Sequence, residues 1–281
     1  MLKLFLIGII VLGLLYIWWI HTPTHLKQEK SPLVIAHRGS SGLAPENTLA
    51  AIQKSIDSEV DMIEVDLHLS KEGEVIILHD ATLERTTNGR GEAKDYTVEE
   101  LQQLDAGSWF SEEFTREKIP TLKEVFDLVQ GKIVLLLELK KGEKGLYEGI
   151  EKAVVEAVRA YGIEKKVILQ SFESEVVDEL VRIAPDMEVH KLYVGRLPGI
   201  PIYNDEAYKR GNVLHYPGVA AINSYYKMLH RRTVHQVHKI GKKVYVYTVN
   251  EETDMKKMIN YGVDGIITNY PDRLIDILRK Q

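Results

Sequence analysis

The chain has 281 residues, of which 44% are hydrophobic, and this length suits one large domain or two small ones. Its formal net charge is -5 and its basic residues are scattered, so we expect no nucleic-acid partner. The absence of cysteine excludes disulfides and cysteine-ligated zinc sites, although it does not fix the cellular compartment.

An uncharged apolar run, LFLIGIIVLGLLYIWWI, occupies residues 4–20. As a helix it would extend ~26 Å, which is near the lower limit for crossing a bilayer. Tyr16, Trp18 and Trp19 cluster at its far end, as in an interfacial aromatic belt. A cleaved signal peptide is the alternative, but the following WWIHTPTHLKQ offers no small-residue cleavage site. The sequence therefore predicts that residues 1–31 form a single membrane-spanning anchor and a polar tether.

The orientation of this anchor follows from the basic residues around it. Lys3 precedes the run, whereas Lys27 and Lys30 follow it at a distance. Because basic residues favour the cytoplasmic side, we expect a single-pass cell-membrane protein whose main domain, residues 32–281, lies outside the cytoplasm.

From Pro32 onward, short apolar runs alternate with amphipathic segments. The predicted strands are 33–36, 61–69, 74–78, 132–139, 166–170, 188–193, 219–223, 243–249 and 264–267. The predicted helices are 49–58, 97–104, one after Thr121, 146–161, 173–183, 228–240, 252–260 and 271–279, the second and third with capping boxes. This alternation favours an α/β fold, a closed (β/α)8 TIM barrel rather than an open doubly wound sheet. No G-x-G-x-x-G follows the first strand, which weakens a dinucleotide-binding interpretation.

Nine strands are one too many for such a barrel, and the gap between 61–69 and 74–78 is too short for a parallel crossover. We therefore predict that 74–78 runs antiparallel to 61–69 as a hairpin arm. This fold-back returns His79 to the end of the strand where Glu64 and Asp66 lie. His68, further along the arm, is expected to sit away from the site and to be dispensable.

Two long connections interrupt the alternation. Residues 81–119 contain one short predicted helix and the aromatic residues Trp109, Phe110 and Phe114. We interpret this segment as a small insertion over one end of the barrel, with a disordered surface loop as the alternative. Residues 194–218 are predicted to form a second long loop that shapes the substrate pocket.

Carboxylates occupy strand positions where a core side chain is usual. Strand alternation directs Glu64, Asp66, Glu138 and Lys140 into the barrel mouth, near the carboxyl ends of their strands. At ~4 Å and an effective dielectric of ~20, each like-charge pair is unfavourable by about 4 kcal/mol. One divalent cation would resolve the repulsion, and all-oxygen ligands favour Ca²⁺ or Mg²⁺ over zinc. The alternative is a salt-bridge network with Lys140 and Arg38.

The order of several short motifs is more specific than any one of them. They are HRG, PENT, E-x-D, HD, RTTNG, E-x-K, QSF, TVN and GVDGIIT, and they span residues 33–273. This set resembles the glycerophosphodiester phosphodiesterase family, whose members are (β/α)8 barrels with a small insertion after the HD motif. The resemblance implies metal-dependent hydrolysis of glycerophosphodiesters to an alcohol and glycerol 3-phosphate. It further implies that Glu64, Asp66 and Glu138 bind the metal, His37 and His79 are the acid–base pair, and Arg38 and Lys140 hold the phosphate.

The residues are consistent with this chemistry, because a phosphodiester needs charge neutralisation, an activated nucleophile and a proton donor. The nucleophile, water or the glycerol 2-hydroxyl, stays open. Two departures from the family pattern leave the substrate open. Tyr247 replaces a frequent tryptophan as an aromatic, substrate-binding wall, and Asn269 stands where aspartate is frequent.

Other functions remain alternatives. A lysophospholipase D or sphingomyelinase D-like enzyme would use the same residues on a lysolipid, and an inactive barrel would serve as a scaffold. The remaining histidines are expected to be structural or on the surface: His68, His190, His215, His230, His235 and His238.

Overall fold

The computed structural model describes residues 31–194 and 216–280. The strands are β1 (Leu33–Ala36), β2 (Met62–Leu69), β3 (Val75–Ile77), β4 (Val134–Leu139), β5 (Val167–Ser171), β6 (Glu188–Tyr193), β7 (Ala221–Tyr225), β8 (Lys243–Tyr247) and β9 (Gly265–Thr268). The helices are α1 (Leu49–Asp57), α2 (Val98–Leu101), α3 (Leu122–Val129), α4 (Ile150–Tyr161), α5 (Ser174–Ile183), α6 (Arg231–Lys239), α7 (Glu252–Tyr261) and α8 (Pro271–Arg279). The predicted anchor, its tether and most of the predicted loop 194–218 lie outside the described residues.

Eight of these strands form a closed parallel barrel. The strand order is β1-β9-β8-β7-β6-β5-β4-β2, and the parallel pairing of Ile35 with Met62 closes the ring between β1 and β2. The predicted TIM barrel is therefore confirmed. Among the helices of residues 31–194 and 216–280, none has the length and apolar character needed to span a bilayer.

The ninth strand is the predicted hairpin arm. Strand β3 pairs antiparallel with β2, with Leu67 opposite Ile77 and Leu69 opposite Val75. Beyond the strand, the amide of Leu78 donates to the carbonyl of Asp66 at 3.0 Å. The turn uses Gly73 at φ +81°, a conformation that favours glycine. The antiparallel prediction is confirmed, and the arm runs back from the carboxyl end of β2, which returns residues 78–80 toward the level of Asp66 and Glu64.

Helix starts agree with the sequence where a capping residue marks them. Thr97 and Thr121 form complete capping boxes, and the Thr48 hydroxyl accepts from the Ala51 amide. The prediction was wrong for 146–161, because α4 begins only after Gly149, whose φ of +80° is not helical. Helix α2 likewise ends at Leu101 rather than at 104.

Apolar side chains on the outer face of the barrel pack against the helix layer. Ile63, Val65 and Leu67 of β2 join Leu135 and Leu137 of β4 in this core. The same alternation sends the intervening residues of both strands inward. This packing places the polar side chains of the two strands at the mouth of the barrel.

The insertion is ordered and has a hydrophobic core of its own. That core consists of Ile76, Leu78, Leu83, Ala93, Leu101, Ala106 and Ile119. Trp109, Phe110 and Phe114, the aromatic residues of the insertion noted in the sequence, are not part of this core. Trp109 is 43% exposed and meets the edge of Phe110 with the ring centroids 5.8 Å apart. Aliphatic packing against β3, rather than these rings, therefore forms the core of the insertion.

Candidate active site

A cavity of about 440 Å³ opens at the carboxyl ends of the barrel strands. It is lined by all eight residues singled out in the sequence: His37, Arg38, Glu64, Asp66, His79, Glu138, Lys140 and Tyr247. Ligand sites of (β/α)8 barrels lie at this end. The structure therefore places the candidate residues of five separate strands around one pocket.

Three buried carboxylates lie at the floor of this cavity. Asp66 and Glu138 are register partners on the neighbouring strands β2 and β4, and Glu64 lies one inward position earlier on β2. One carboxylate oxygen from each of the three lies within 4.8 Å of the others. Such a set of oxygen ligands can hold one metal ion of the hard type.

The charges around the three carboxylates are distributed unevenly. Lys140 Nζ lies 2.7 Å from Glu138 Oε1 and 3.4 Å from Asp66 Oδ1, and Arg38 Nε lies 3.3 Å from Asp66 Oδ2. Although burial opposes ionisation, Lys140 and Arg38 hold the pKa of Asp66 below its ordinary value. The alternative salt-bridge network therefore exists for Asp66 and Glu138.

The ion pairs of Lys140 and Arg38 do not extend to Oε1 of Glu64. Its Oε1 is buried without a hydrogen-bond partner among the described residues, and burial together with Asp66 and Glu138 raises its pKa well above normal. A buried carboxylate in this state is unfavourable unless a cation neutralises it. The orphaned oxygen thus fits a metal site better than a self-contained ion-pair network.

Two backbone features hold the carboxylates in place. Arg38 adopts φ 53°, and its amide donates to Glu64 Oε2 at 2.9 Å. Asn47, at φ 59°, donates from Nδ2 to Asp66 Oδ2 at 2.8 Å and accepts from the Asp66 amide at 3.2 Å. Strained left-handed residues of this kind concentrate at functional sites. The role of Asn47 was missed in the sequence, although PENT was among the noted motifs.

His37 follows β1 and faces the carboxylates. Its Nδ1 donates to Oδ1 of Asn269 at 2.6 Å, and its Nε2 lies 4.0 Å from Glu64 Oε2. Burial first, and then Arg38, lower the pKa of His37 to about 3. The imidazole is therefore neutral, with the unprotonated Nε2 directed into the cavity. Asn269, noted only as a departure from the family pattern, is the group that fixes this tautomer.

His79 reaches the cavity from the hairpin arm. Its Nδ1 lies 2.6 Å from Oδ1 of Asp80, so Nε2 is the atom left to face a substrate. Burial lowers the pKa of His79, and Asp66 and Asp80 oppose this change. The paired imidazoles thus differ in their partners, because His37 has a neutral amide and His79 has a carboxylate.

His68 makes contacts that the sequence analysis did not predict. This histidine is 1% exposed, and its Nε2 donates to the carbonyl of His79 at 3.1 Å while its Nδ1 accepts from the Tyr147 hydroxyl at 2.8 Å. It does not line the cavity, as expected, but it contacts the segment that carries His79. The prediction that His68 lies outside the cavity is therefore confirmed, whereas its contact with the backbone of His79 was not predicted, and its dispensability stays a prediction.

The opposite wall of the cavity is aromatic. The Phe172 and Tyr247 rings meet edge to face at 5.8 Å, and Tyr225 lies 6.3 Å from Tyr247 between ring centroids. The Tyr247 hydroxyl donates to the carbonyl of Tyr193 at 3.0 Å, which fixes the ring. The cavity is therefore divided, with the carboxylates, Arg38 and Lys140 on the side of β1, β2 and β4 and the aromatic groups at β5, β7 and β8, where Lys227 also lines the cavity.

The remaining described histidines lie outside this cavity. His190 is buried and pairs with Glu188 at 2.8 Å, and His238 contacts Asp264 at 2.7 Å. His230 and His235 lie at the start of and within α6. His215 lies outside the described residues.

A parallel barrel with carboxylates, cations and imidazoles at the carboxyl ends of its strands is a suitable architecture for hydrolysing a phosphate ester. The chain belongs to the glycerophosphoryl diester phosphodiesterase family, whose family model matches residues 37–273. The members of this family are phosphoric diester hydrolases, and the predicted family is confirmed.

Individual relatives cover almost the same part of the chain. A glycerophosphodiester phosphodiesterase of Caldanaerobacter subterraneus is 40% identical over 88% of this chain and 98% of its own. A lysophospholipase D of Mus musculus is 28% identical over 87% of this chain and 85% of its own. The solved structure of an Oleispira antarctica phosphodiesterase in complex with the product sn-glycerol-3-phosphate is 31% identical. It has a TM-score of 0.79 and covers 89% of this chain and 97% of its own.

Proposed function

We propose that this protein hydrolyses glycerophosphodiesters to an alcohol and glycerol 3-phosphate with the help of one divalent cation. The observation that carries the proposal is the meeting of three buried carboxylates, two cationic side chains and two imidazoles in one cavity. The relative that binds sn-glycerol-3-phosphate supports the identity of the product.

Glu64, Asp66 and Glu138 would hold the cation, and their oxygen atoms favour Ca²⁺ or Mg²⁺. When bound, the ion would neutralise negative charge on the phosphate and polarise the phosphorus centre. Arg38 and Lys140 lie beside the same carboxylates and would hold the non-bridging phosphate oxygens. The diester anion is thereby drawn into a site that carries positive charge on two sides.

His37 is suited to the role of general base. Its neutral state and its free Nε2 follow from burial and from the hydrogen bond to Asn269. Nε2 would accept the proton of the attacking hydroxyl, which belongs either to water or to the glycerol 2-hydroxyl. The second route passes through a cyclic phosphate, which subsequent attack by water opens to glycerol 3-phosphate.

His79 is suited to the role of general acid. The Asp80 carboxylate stabilises its protonated form, and a bound phosphodiester anion adds negative charge on the other side. Nε2 would donate its proton to the oxygen of the departing alcohol as the bond between phosphorus and that oxygen breaks. The proton taken up at His37 and the one released at His79 balance over one turnover.

The aromatic wall would contact the organic part of the substrate. Tyr247, held by its own hydrogen bond, presents a fixed ring face opposite the charged groups. Carbon-bound hydrogens of a glycerol or headgroup moiety pack well against such a face. Tyr247 is therefore proposed as a substrate-binding residue.

The test is turnover of a panel of glycerophosphodiesters by the full-length chain in detergent, after chelation and after addition of Ca²⁺ or Mg²⁺. We expect release of glycerol 3-phosphate that depends on the added cation. Turnover that is unaffected by chelation would contradict the metal role, and absence of turnover with every diester would support the scaffold alternative. Solvent labelled with oxygen-18 and a search for cyclic phosphate would distinguish the two nucleophiles.

A second candidate is a lysophospholipase D-like activity, with sphingomyelinase D-like action as a variant. Two observations favour it, namely the murine relative and the apolar run of residues 4–20, which would place the cavity near lipid. Choline release from glycerophosphocholine and from lysophosphatidylcholine, measured side by side, separates the two candidates. The proposed location is a cell membrane, with the barrel outside the cytoplasm.

A further inference from the structure

A row of charged side chains follows the rim of the cavity and connects its two sides. We name Glu46, Arg85 and Asp80 the rim ladder. Asp80 contacts His79 through Oδ1 at 2.6 Å, and its Oδ2 accepts from Arg85 Nε at 2.5 Å. Arg85 donates from Nη1 and Nη2 to the two oxygens of Glu46 at 2.9 and 2.7 Å. Glu46 Oε1 also accepts from Arg38 Nη1 at 2.7 Å.

The geometry of Arg85 is specific to arginine. Its planar guanidinium uses Nε for one carboxylate and both terminal nitrogens for another, so it fixes the two carboxylates relative to each other. A lysine would keep the charge at this place but has no such fork. Arg85 therefore determines the position of Asp80 as well as neutralising it.

Asp80 depends on this support. Its side chain is 31% exposed, and a short exposed carboxylate next to a histidine would otherwise sample several rotamers. Although partial burial opposes ionisation, hydrogen bonds from Arg85 and His79 hold the pKa of Asp80 at about 2. Asp80 is thus an ionised acceptor for Nδ1 of His79 at all moderate pH values.

The two ends of the rim ladder come from separate parts of the chain. Glu46 lies in the loop between β1 and α1, and Arg85 lies at the start of the insertion, 39 residues away. Glu46 is more enclosed than Arg85, with 12% of its side chain exposed against 45%. The insertion is therefore fastened to the barrel rim at the position that carries His79.

We propose that Glu46 and Arg85 are positioning residues for the reaction, which hold Asp80 so that His79 keeps Nε2 directed at the leaving oxygen. The proposal rests on the proposed function, in which His79 is the proton donor. The alternative is a set of surface ion pairs that stabilise the fold only slightly and leave catalysis unchanged. The two hypotheses predict different results when a residue of the rim ladder is replaced. Only the positioning role makes the loss of activity depend on the leaving group.

The decisive variant is Arg85→Lys, compared on two substrates. One is an alkyl glycerophosphodiester, whose alkoxide needs protonation, and the other is a nitrophenyl phosphodiester, whose leaving group departs unprotonated. We expect kcat on the alkyl diester to fall roughly 10- to 100-fold, the range typical of groups that orient an active-site side chain. The loss on the nitrophenyl diester should be several times smaller, and KM for both should change little.

Arg182→Lys is the matched control. Arg182 forms a comparable two-point pair with Glu179 on α5, outside the cavity. This variant should keep both activities. Glu46→Gln is a second ladder variant that removes the charge bound by the Arg85 fork. Because Arg38 also loses a charged partner, both activities should fall in this variant, and the loss should still be larger on the alkyl diester. Thermal melting of each variant checks that the fold is retained.

A measurement without turnover separates this proposal from the proposed function. Nitrogen-15 NMR of histidine-labelled protein, with His79→Gln used for assignment, should show an Nδ1-protonated His79 at alkaline pH, where the ring is neutral. In Arg85→Lys both tautomers should be populated. An unchanged tautomer together with equal losses on both substrates would overturn the positioning role. If the wild-type chain hydrolyses no diester but the His79 tautomer still changes in Arg85→Lys, only the proposed function is overturned.

Discussion

The carbonyl oxygen of His79 accepts a hydrogen bond from Nε2 of His68 at 3.1 Å, which ties the tip of the hairpin arm to β2. Burial lowers the pKa of His68 to about 4, so the ring is neutral and keeps the proton on Nε2. Because the ordinary value is 6.5, the unfolded chain binds this proton between pH 6.5 and 4 and the folded chain does not. The free energy of unfolding must therefore fall as the pH drops through this interval.

We expect His68→Gln to flatten this fall in stability. Glutamine retains a donor for the His79 carbonyl but does not titrate, and one histidine in this interval contributes about 3 kcal/mol. Urea unfolding at pH 7 and pH 4 measures the difference. His68→Leu, which leaves the carbonyl without its donor, should lower stability at pH 7 by ~1–3 kcal/mol. An identical pH slope in wild type and His68→Gln would contradict the assignment of a neutral His68.

The second prediction concerns the carboxylate cluster. Glu64→Gln should abolish or greatly weaken metal binding. Without metal, the free energy of unfolding of this variant should be at least as high as that of the wild type, because a crowded buried carboxylate is removed. Asp66→Asn and Glu138→Gln should also lose metal affinity. They should destabilise the metal-free protein, because Lys140 loses a partner from each. Calorimetric metal titration and chemical denaturation test both statements, and unchanged metal binding in all three variants would refute the site.

The third prediction separates the two imidazoles. His37→Ala and His79→Ala should each reduce kcat on an alkyl diester by roughly 10²–10⁴-fold. An activated leaving group should restore much of the activity of His79→Ala and little of that of His37→Ala, because only the acid becomes unnecessary. Rescue of His37→Ala instead would reverse the assignment of acid and base.

The fourth prediction concerns the partner of His37. Replacing Asn269 with aspartate puts a carboxylate 2.6 Å from Nδ1, which favours the protonated ring and raises the pKa of His37. A base with a higher pKa is protonated over a wider acidic range, so the acid limb of kcat/KM should move to higher pH. The pH profile of Asn269→Asp beside the wild type measures this shift, and a shift toward lower pH would contradict it.

The fifth prediction concerns the location of the barrel. If residues 4–20 are an uncleaved anchor with the N-terminus inside, protease added to intact cells should digest the barrel. A barrel that is protected until the cells are lysed would reverse the orientation. Intact mass measurement of the purified chain shows whether the first residues are retained.

Much of the fold and site was predictable because the relevant signals are local. Strand alternation indicated the inward direction of Glu64, Asp66 and Glu138, and the short gap before β3 required a hairpin. The hairpin also placed His79 at the mouth, since the pairing rule for antiparallel strands fixes which residues are opposite.

The unpredicted contacts depend on tertiary structure. Asn269 is 232 residues from His37, and Arg85 is 39 residues from Glu46, so no periodicity connects either pair. The burial of His68 escaped notice for a related reason. Its neighbours Tyr147 and His79 come from other elements, and a lone histidine on a strand carries no signal of what packs against it.

The division of the cavity has an evolutionary consequence. The groups that we propose for bond breaking come from β1, β2, the β3 arm and β4, whereas the aromatic wall comes from β5, β7 and β8. Substitutions in the second set can alter which alcohol is accepted without disturbing the first set. If the proposed roles hold, substrate range and chemical step are separable traits in this barrel, and divergence toward new headgroups can proceed through one half of the molecule alone.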